Sequence, residues 1–173
     1  MRSSGVTNRA HTWVAPALLV WAGILLFFHA TSGWVPILDH ANLAFHEAGH
    51  PIFGIISNRL SVYGGTFMQL LIPAACAFEM KRQGKRTGAY VCLVWLAESL
   101  LNVARYMADA RARVLPLVGG ADPEYSHDWT NILGPLGLLE WNIVLANSVR
   151  VVAVTLMVWT IWRAWKTSRE EER

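Results

Sequence analysis

Charge is scarce in this chain: Asp, Glu, Lys and Arg make up 16% of its 173 residues, where a soluble domain carries about a quarter. A disordered segment, which needs charge and polarity to stay solvated, is therefore excluded. Cysteine is nearly absent as well. The two present, Cys76 and Cys92, sit inside apolar runs without metal-ligand spacing, which excludes a disulfide-stapled secreted module and reads as two small buried hydrophobes. The net charge of +3 and pI near 9.1 are explained by basic loops beside apolar runs, so no nucleic-acid partner is expected. Internal repeats are lacking, and the charged tail at 169–173 reads as a solvated end.

Apolar residues are abundant, at 54% with a mean hydropathy of +0.32, and they come in long blocks. Runs at 13–30, 62–80, 88–107 and 148–165 approach the length needed to cross a hydrocarbon core of about 30 Å. The chain reads as a single all-α integral membrane domain over 1–173, a multi-pass transmembrane helix bundle of about four spans in contact with the lipid bilayer. The first run is expected to be a span and not a cleaved leader, because no small-residue cleavage box follows it. Positive charge orients the bundle. Arg2 and Arg9, the loop from Lys81 to Arg86, and Arg163, Lys166 and Arg169 all fall on the cytoplasmic side if there are four spans. The connections at 31–65 and 108–147 then share the extracytoplasmic side, with Arg105, Arg111 and Arg113 partly balanced by Asp109, Asp122, Glu124 and Asp128. Trp13, Trp34, Trp129, Trp159, Trp162 and Trp165 lie near span ends, as interfacial anchors do.

The first connection holds His46-Glu47-Ala48-Gly49-His50, an HExxH pattern. On a helix, two histidines four apart share one face and can bind one Zn²⁺, with the glutamate beside them as general base. The metal lowers the pKa of a water and polarises a carbonyl, while the carboxylate moves the proton. The flanking residues are mostly apolar, so three ionisable side chains stand where they are costly unless they serve a purpose. Pro51 predicts a kink or a helix end, and 37–57 reads as a broken or re-entrant helix dipping in from outside. Gly49, Gly54, Gly64 and Gly65 would allow close backbone packing or turns, and Gly64-Gly65 is expected to mark the turn into the second span.

Catalytic zinc commonly takes three protein ligands. The best candidates for the third are Asp128 and His127, in Tyr125-Ser126-His127-Asp128-Trp129, with Asp128 favoured and His127 replacing or supporting it. The same stretch also reads as a helix start capped by Ser126 or Asp128. In the third span, Glu98, Asn102, Arg105 and Asp109 fall on one face. They could order the metal site, offer Glu98 or Asp109 as a ligand, let Arg105 or Asn102 stabilise an oxyanion, or merely pair as Glu98 with Arg105 and Asp109 with Arg113. Asp39 and His40 could cap the motif helix or support its ligands, whereas His11 and His29 are expected to do neither.

Taken with Gly64-Gly65-Thr66-Phe67-Met68-Gln69, Tyr106-Met107-Ala108-Asp109-Ala110-Arg111, Leu115-Pro116-Leu117-Val118-Gly119-Gly120 and His127-Asp128-Trp129, the motif resembles an uncharacterised family of small bacterial multi-pass membrane proteins over roughly residues 40–140. The motif half is also similar to the intramembrane site-2 metalloproteases, and that resemblance implies a zinc ligand equivalent to Asp128. This chain has His-Asp-Trp where that family has Leu-Asp-Gly, and its motif follows the first span. The expectation is a membrane-embedded zinc-dependent hydrolase, a metallopeptidase with Glu47 as general base and a membrane or extracytoplasmic substrate. The alternatives are a non-enzymatic metal-binding or chaperone-like membrane protein, and a partner subunit whose polar residues only join helices.

Overall fold

A computed structural model describes residues 13–118 and 126–171. The expectations placed on Arg2, Arg9, His11, Gly119, Gly120, Asp122, Glu124 and Tyr125 lie outside the described residues. Among those described there are helices and no strands: α1 (Val14–Thr31), α2 (Leu38–Gly54), α3 (Asn58–Arg82), α4 (Arg86–Ala108), α5 (Asp128–Leu133), and a 3₁₀ turn (Leu139–Trp141) leading into α6 (Asn142–Glu171).

Four stretches are long and apolar enough to cross a membrane: Val14–Thr31, Asn58–Arg82, Arg86–Ala108 and Leu139–Glu170. They coincide with the four expected spans, but α3 and α6 begin earlier than hydropathy suggests. Ser57 starts α3, its hydroxyl accepting the Arg59 N–H at 3.2 Å and its carbonyl the N–H groups of Leu60 and Ser61. Polar residues thus extend the helix beyond its apolar part. Pro73 sits inside α3 without ending it.

The chain divides into two compact units. The first gathers α1, the Pro73–Glu98 stretch of α3 and α4, and α6 from Ala153 onward. Here α1 buries Ala15, Leu18, Ala22 and Leu25, one helical stripe. Gly84, at φ +74°, takes the left-handed conformation that turns α3 into α4, and Lys85 donates its N–H back to Met80 at 2.9 Å.

The second unit gathers Pro36–Ile72 and Ser99–Val152. Its apolar core is Met107, Ala110, Ile132, Leu133 and Ala146, with the partly buried Trp129 packed against it. Asn142 closes the end of α4 by donating to the carbonyls of Ala108 at 2.7 Å and Met107 at 3.4 Å, which leaves fewer orphan acceptors there. The chain enters α2 through a γ-turn at Ile37 (φ +70°), closed by Leu38 N–H to Pro36 O at 2.8 Å. That is a strained conformation for a β-branched residue.

Pro51 lies inside α2, which ends three residues later at Gly54, where the Ile55 N–H reaches the Pro51 carbonyl at 3.2 Å. One sequence expectation needs correcting in this unit. Gly64-Gly65 is not a turn. Both glycines lie inside α3, buried against α2, and the reversal occurs at 55–57.

Candidate metal centre

The inward face of α2 inverts the usual pattern of a helix. Its buried residues are Asp39, Asn42, His46 and Gly49, spaced three, four and three, so the buried stripe is polar while Ile52 and Ile55 are exposed. Gly49 lets this stripe approach α3, since a Cβ there would run into the Gly64 carbonyl. A Cβ at Gly65 would stand 2.7 Å from His46 Nε2 and 2.8 Å from His50 Nε2. Glycine therefore leaves room for both imidazoles against the α3 backbone.

Each ring is held through Nδ1. His50 Nδ1 lies 2.9 Å from the Ser61 carbonyl, and the Ser61 hydroxyl donates back to the His50 carbonyl at 2.9 Å. A carbonyl only accepts, so His50 carries its proton on Nδ1. His46 Nδ1 lies 3.3 Å from Gln69 Oε1. Gln69 Nε2 donates to Asn102 Oδ1 at 3.3 Å, and Asn102 Nδ2 donates to Asp39 Oδ1 at 2.9 Å. With Asp39 accepting at its end, the chain runs from His46 Nδ1–H through Gln69 and Asn102, an arrangement that leaves His46 Nε2 to a cation or to a proton shared with Asp128.

With their protons on Nδ1, both Nε2 atoms present lone pairs toward a carboxylate. Asp128 Oδ2 lies 2.9 Å from His46 Nε2 and 3.4 Å from His50 Nε2. Three acceptors converging in a buried site repel one another unless a cation lies between them. Bonds of about 2.0–2.1 Å in a tetrahedral zinc site put neighbouring ligand atoms roughly 3.3 Å apart. The His50 edge already has that length, and the His46 edge needs to open by a few tenths of an ångström. The donor set thus fits a divalent metal. Glu47 belongs to the same group: with His46 and His50, its ligand atoms all lie within 4.8 Å of one another.

Asp128 is set in place by α5 and α4. It occupies the first turn of α5, whose N-cap is His127 rather than Ser126 or Asp128. The Asp128 N–H donates to the Tyr106 hydroxyl at 3.1 Å, and the Thr130 hydroxyl ties α5 to the Ala110 carbonyl at 2.5 Å. The Tyr106 ring packs 5.8 Å from His46 and 4.3 Å from His127, centre to centre.

His127 has a structural role. Its Nδ1 accepts the Thr130 N–H at 3.4 Å, and its buried Nε2 faces Asp109 Oδ2 at 3.5 Å without closing a hydrogen bond. Burial pushes this imidazole below its ordinary pKa, opposed by Asp109 and Asp128, which suits a neutral cap. The Asp109 carboxylate accepts the N–H groups of Val114 and Leu115 at 3.1 and 3.0 Å and so organises the loop after α4. It serves the loop and His127 instead of Arg113 or the histidine pair. Asn102 is engaged on both sides of its amide, which removes it as an oxyanion donor and makes it a link to His46. Glu98, in the first unit, lies 3.3 Å from His29, so His29 has a role the sequence did not suggest. Arg105 is half-buried on α4.

Gln69, Ser61, Tyr106 and Gly65 escaped the sequence reading as parts of the site. Gln69 carried a signal, since an amide within an apolar run is costly without a partner. Gly65 carried one too, as a residue that permits close backbone packing, and Ser61 and Tyr106 had none. Compared with known proteins, the chain matches no family model, no curated protein and no solved structure.

Proposed function

We propose that this chain is an integral membrane zinc-dependent hydrolase, a metallopeptidase of the bacterial inner membrane acting on a membrane or extracytoplasmic substrate. The observation that carries the reading is the convergence of His46 Nε2, His50 Nε2 and Asp128 Oδ2, with Glu47 beside them. Three protein ligands leave a coordination position open, as catalytic sites do. Zinc, when bound, supplies a Lewis acid for a carbonyl and lowers the pKa of water.

The chain's own residues do the rest. Glu47, half-buried, takes the proton from the attacking water and passes it to the leaving group. The Nδ1 anchors on Gln69 and Ser61 keep both imidazoles turned toward Asp128. Arg105, on the α4 face that carries Asn102, offsets negative charge developing on the substrate oxygen. Asp128 takes the part of the later aspartate of site-2 proteases, from the short helix α5. The basic turn between α3 and α4 and the basic end of α6 lie on the cytoplasmic side, and the connections at 31–65 and 108–147 lie outside.

The test is elemental analysis of detergent-purified protein. Wild type and Glu47→Gln should hold near-stoichiometric zinc, and His46→Ala and Asp128→Ala should lose it. With a labelled peptide panel, Glu47→Gln should abolish zinc-dependent turnover. No zinc in the wild type after reconstitution sinks the metal reading, and turnover that survives Glu47→Gln sinks the assigned base.

A further inference from the structure

A second candidate site lies wholly within the first unit, where α3, α4 and α6 border a cavity of about 780 Å³, within the roughly 300–1,000 Å³ usual for small-molecule sites. On α3 and α4 its lining changes from basic to apolar along the helix axis, while on α6 the polar residues reach one turn deeper, to Arg163. On α4 it runs from Arg86 through Tyr90 to Leu93 and Leu96, roughly 15 Å at 1.5 Å per residue. On α3 it runs from Lys81 to Ala77 and Ala74, and on α6 from Glu170 through Thr167 and Arg163 to Trp159. The alanines make the depression by withholding side-chain volume. The Tyr90 hydroxyl and Thr167 Oγ1, 2.9 Å apart, pin α4 to α6 between Arg86 on one side and Arg163 on the other.

We propose that this cavity binds one anionic phospholipid, its phosphate among Lys81, Arg86 and Arg163 and its acyl chains over Ala74, Leu93 and Leu96. Three cations against Glu170, which lies 4.0 Å from Lys166, leave the headgroup end positive. A soluble anion would have no use for the apolar half, and a zwitterionic lipid would gain little from the cations. A lipid fits both halves, and it is the solvent of any chain with four spanning helices. The basic turn at Gly84 thus becomes part of a binding site in addition to orienting the chain.

The test is native mass spectrometry of the full-length protein, titrated in neutral detergent with dioleoyl-phosphatidylglycerol or dioleoyl-phosphatidylcholine. Phosphatidylglycerol should bind at least tenfold more tightly. Each cation replaced by Gln should weaken it about fivefold, and Ala77→Phe should weaken it without changing charge. Glu170→Gln should tighten it, a change of sign that a misfolded variant does not produce. Equal affinity for the two lipids, or no effect of Lys81→Gln, Arg86→Gln and Arg163→Gln combined, overturns the proposal. So does full displacement of the lipid by millimolar inorganic phosphate, which would mark a simple anion site.

Discussion

Replacing Asp39 by Asn changes one buried side chain far along a relay from the proposed metal site, yet it should weaken metal binding there. Asp39 is 1% exposed and receives Asn102 Nδ2 at 2.9 Å. Its Oδ1 accepts there, and that end of the relay favours donation from His46 Nδ1 through Gln69 and Asn102. An amide at position 39 accepts either direction. The chain can then reverse, Gln69 can turn its amino group to His46 Nδ1, and the imidazole proton moves to Nε2, where it blocks the metal. Loss of a supporting partner of this kind typically costs ten- to a hundredfold in metal affinity, about 1.4–2.7 kcal/mol. The assay is zinc competition against a chromophoric chelator, together with ¹⁵N spectra of the histidines in metal-free protein. His46 should shift toward the Nε2–H form. His50 should not, because its Nδ1 partner is the Ser61 backbone. Zinc affinity within twofold of wild type, with the His46 tautomer unchanged, refutes the relay. If the wild type holds no zinc but the tautomer moves as described, the relay stands and the metal reading falls.

Gly65→Ala should reduce zinc affinity by on the order of tenfold or more, because its methyl would meet both histidine rings at 2.7–2.8 Å and displace ligands whose support sets affinity. Overpacking of this kind also costs about 1–3 kcal/mol of stability, visible in a thermal melt in detergent. Gly23→Ala, with open space around it, is the matched control and should leave both unchanged. For orientation, a reporter active only in the cytoplasm should be active when fused after Gln83, and activity of an export-dependent reporter there would reverse the assigned topology.

The four spans were legible in the sequence because a membrane helix must satisfy its backbone internally and cover itself with apolar side chains, a constraint that hydropathy measures directly. The motif helix was legible through His46, Glu47 and His50, and Asp128 through its chemistry. The glycine pair was misread because Gly64-Gly65 permits a turn and a close helix crossing equally well, and only the partner at Gly49 separates the two. His127 and Asp128 are adjacent, either can ligate a metal, and only the fold of α5 turns one into a cap and the other toward the histidines. Glu98 and Asp109 share a helical stripe with Asn102, but Glu98 lies against His29 and Asp109 serves a loop. Spacing records which face a residue is on and is silent about its opposite number.

The polar stripe of α2 also constrains how the molecule is made. His46 finds Gln69 23 residues later and Asp128 82 residues later, and Asp39 finds Asn102 63 residues later. At about 5–20 residues per second, several seconds separate the emergence of the first histidine from that of its last partner. A helix with such a face has little reason to leave the translocation channel for lipid by itself. Its release is tied to the arrival of α3, α4 and α5, so the order of synthesis is also the order in which the centre is assembled.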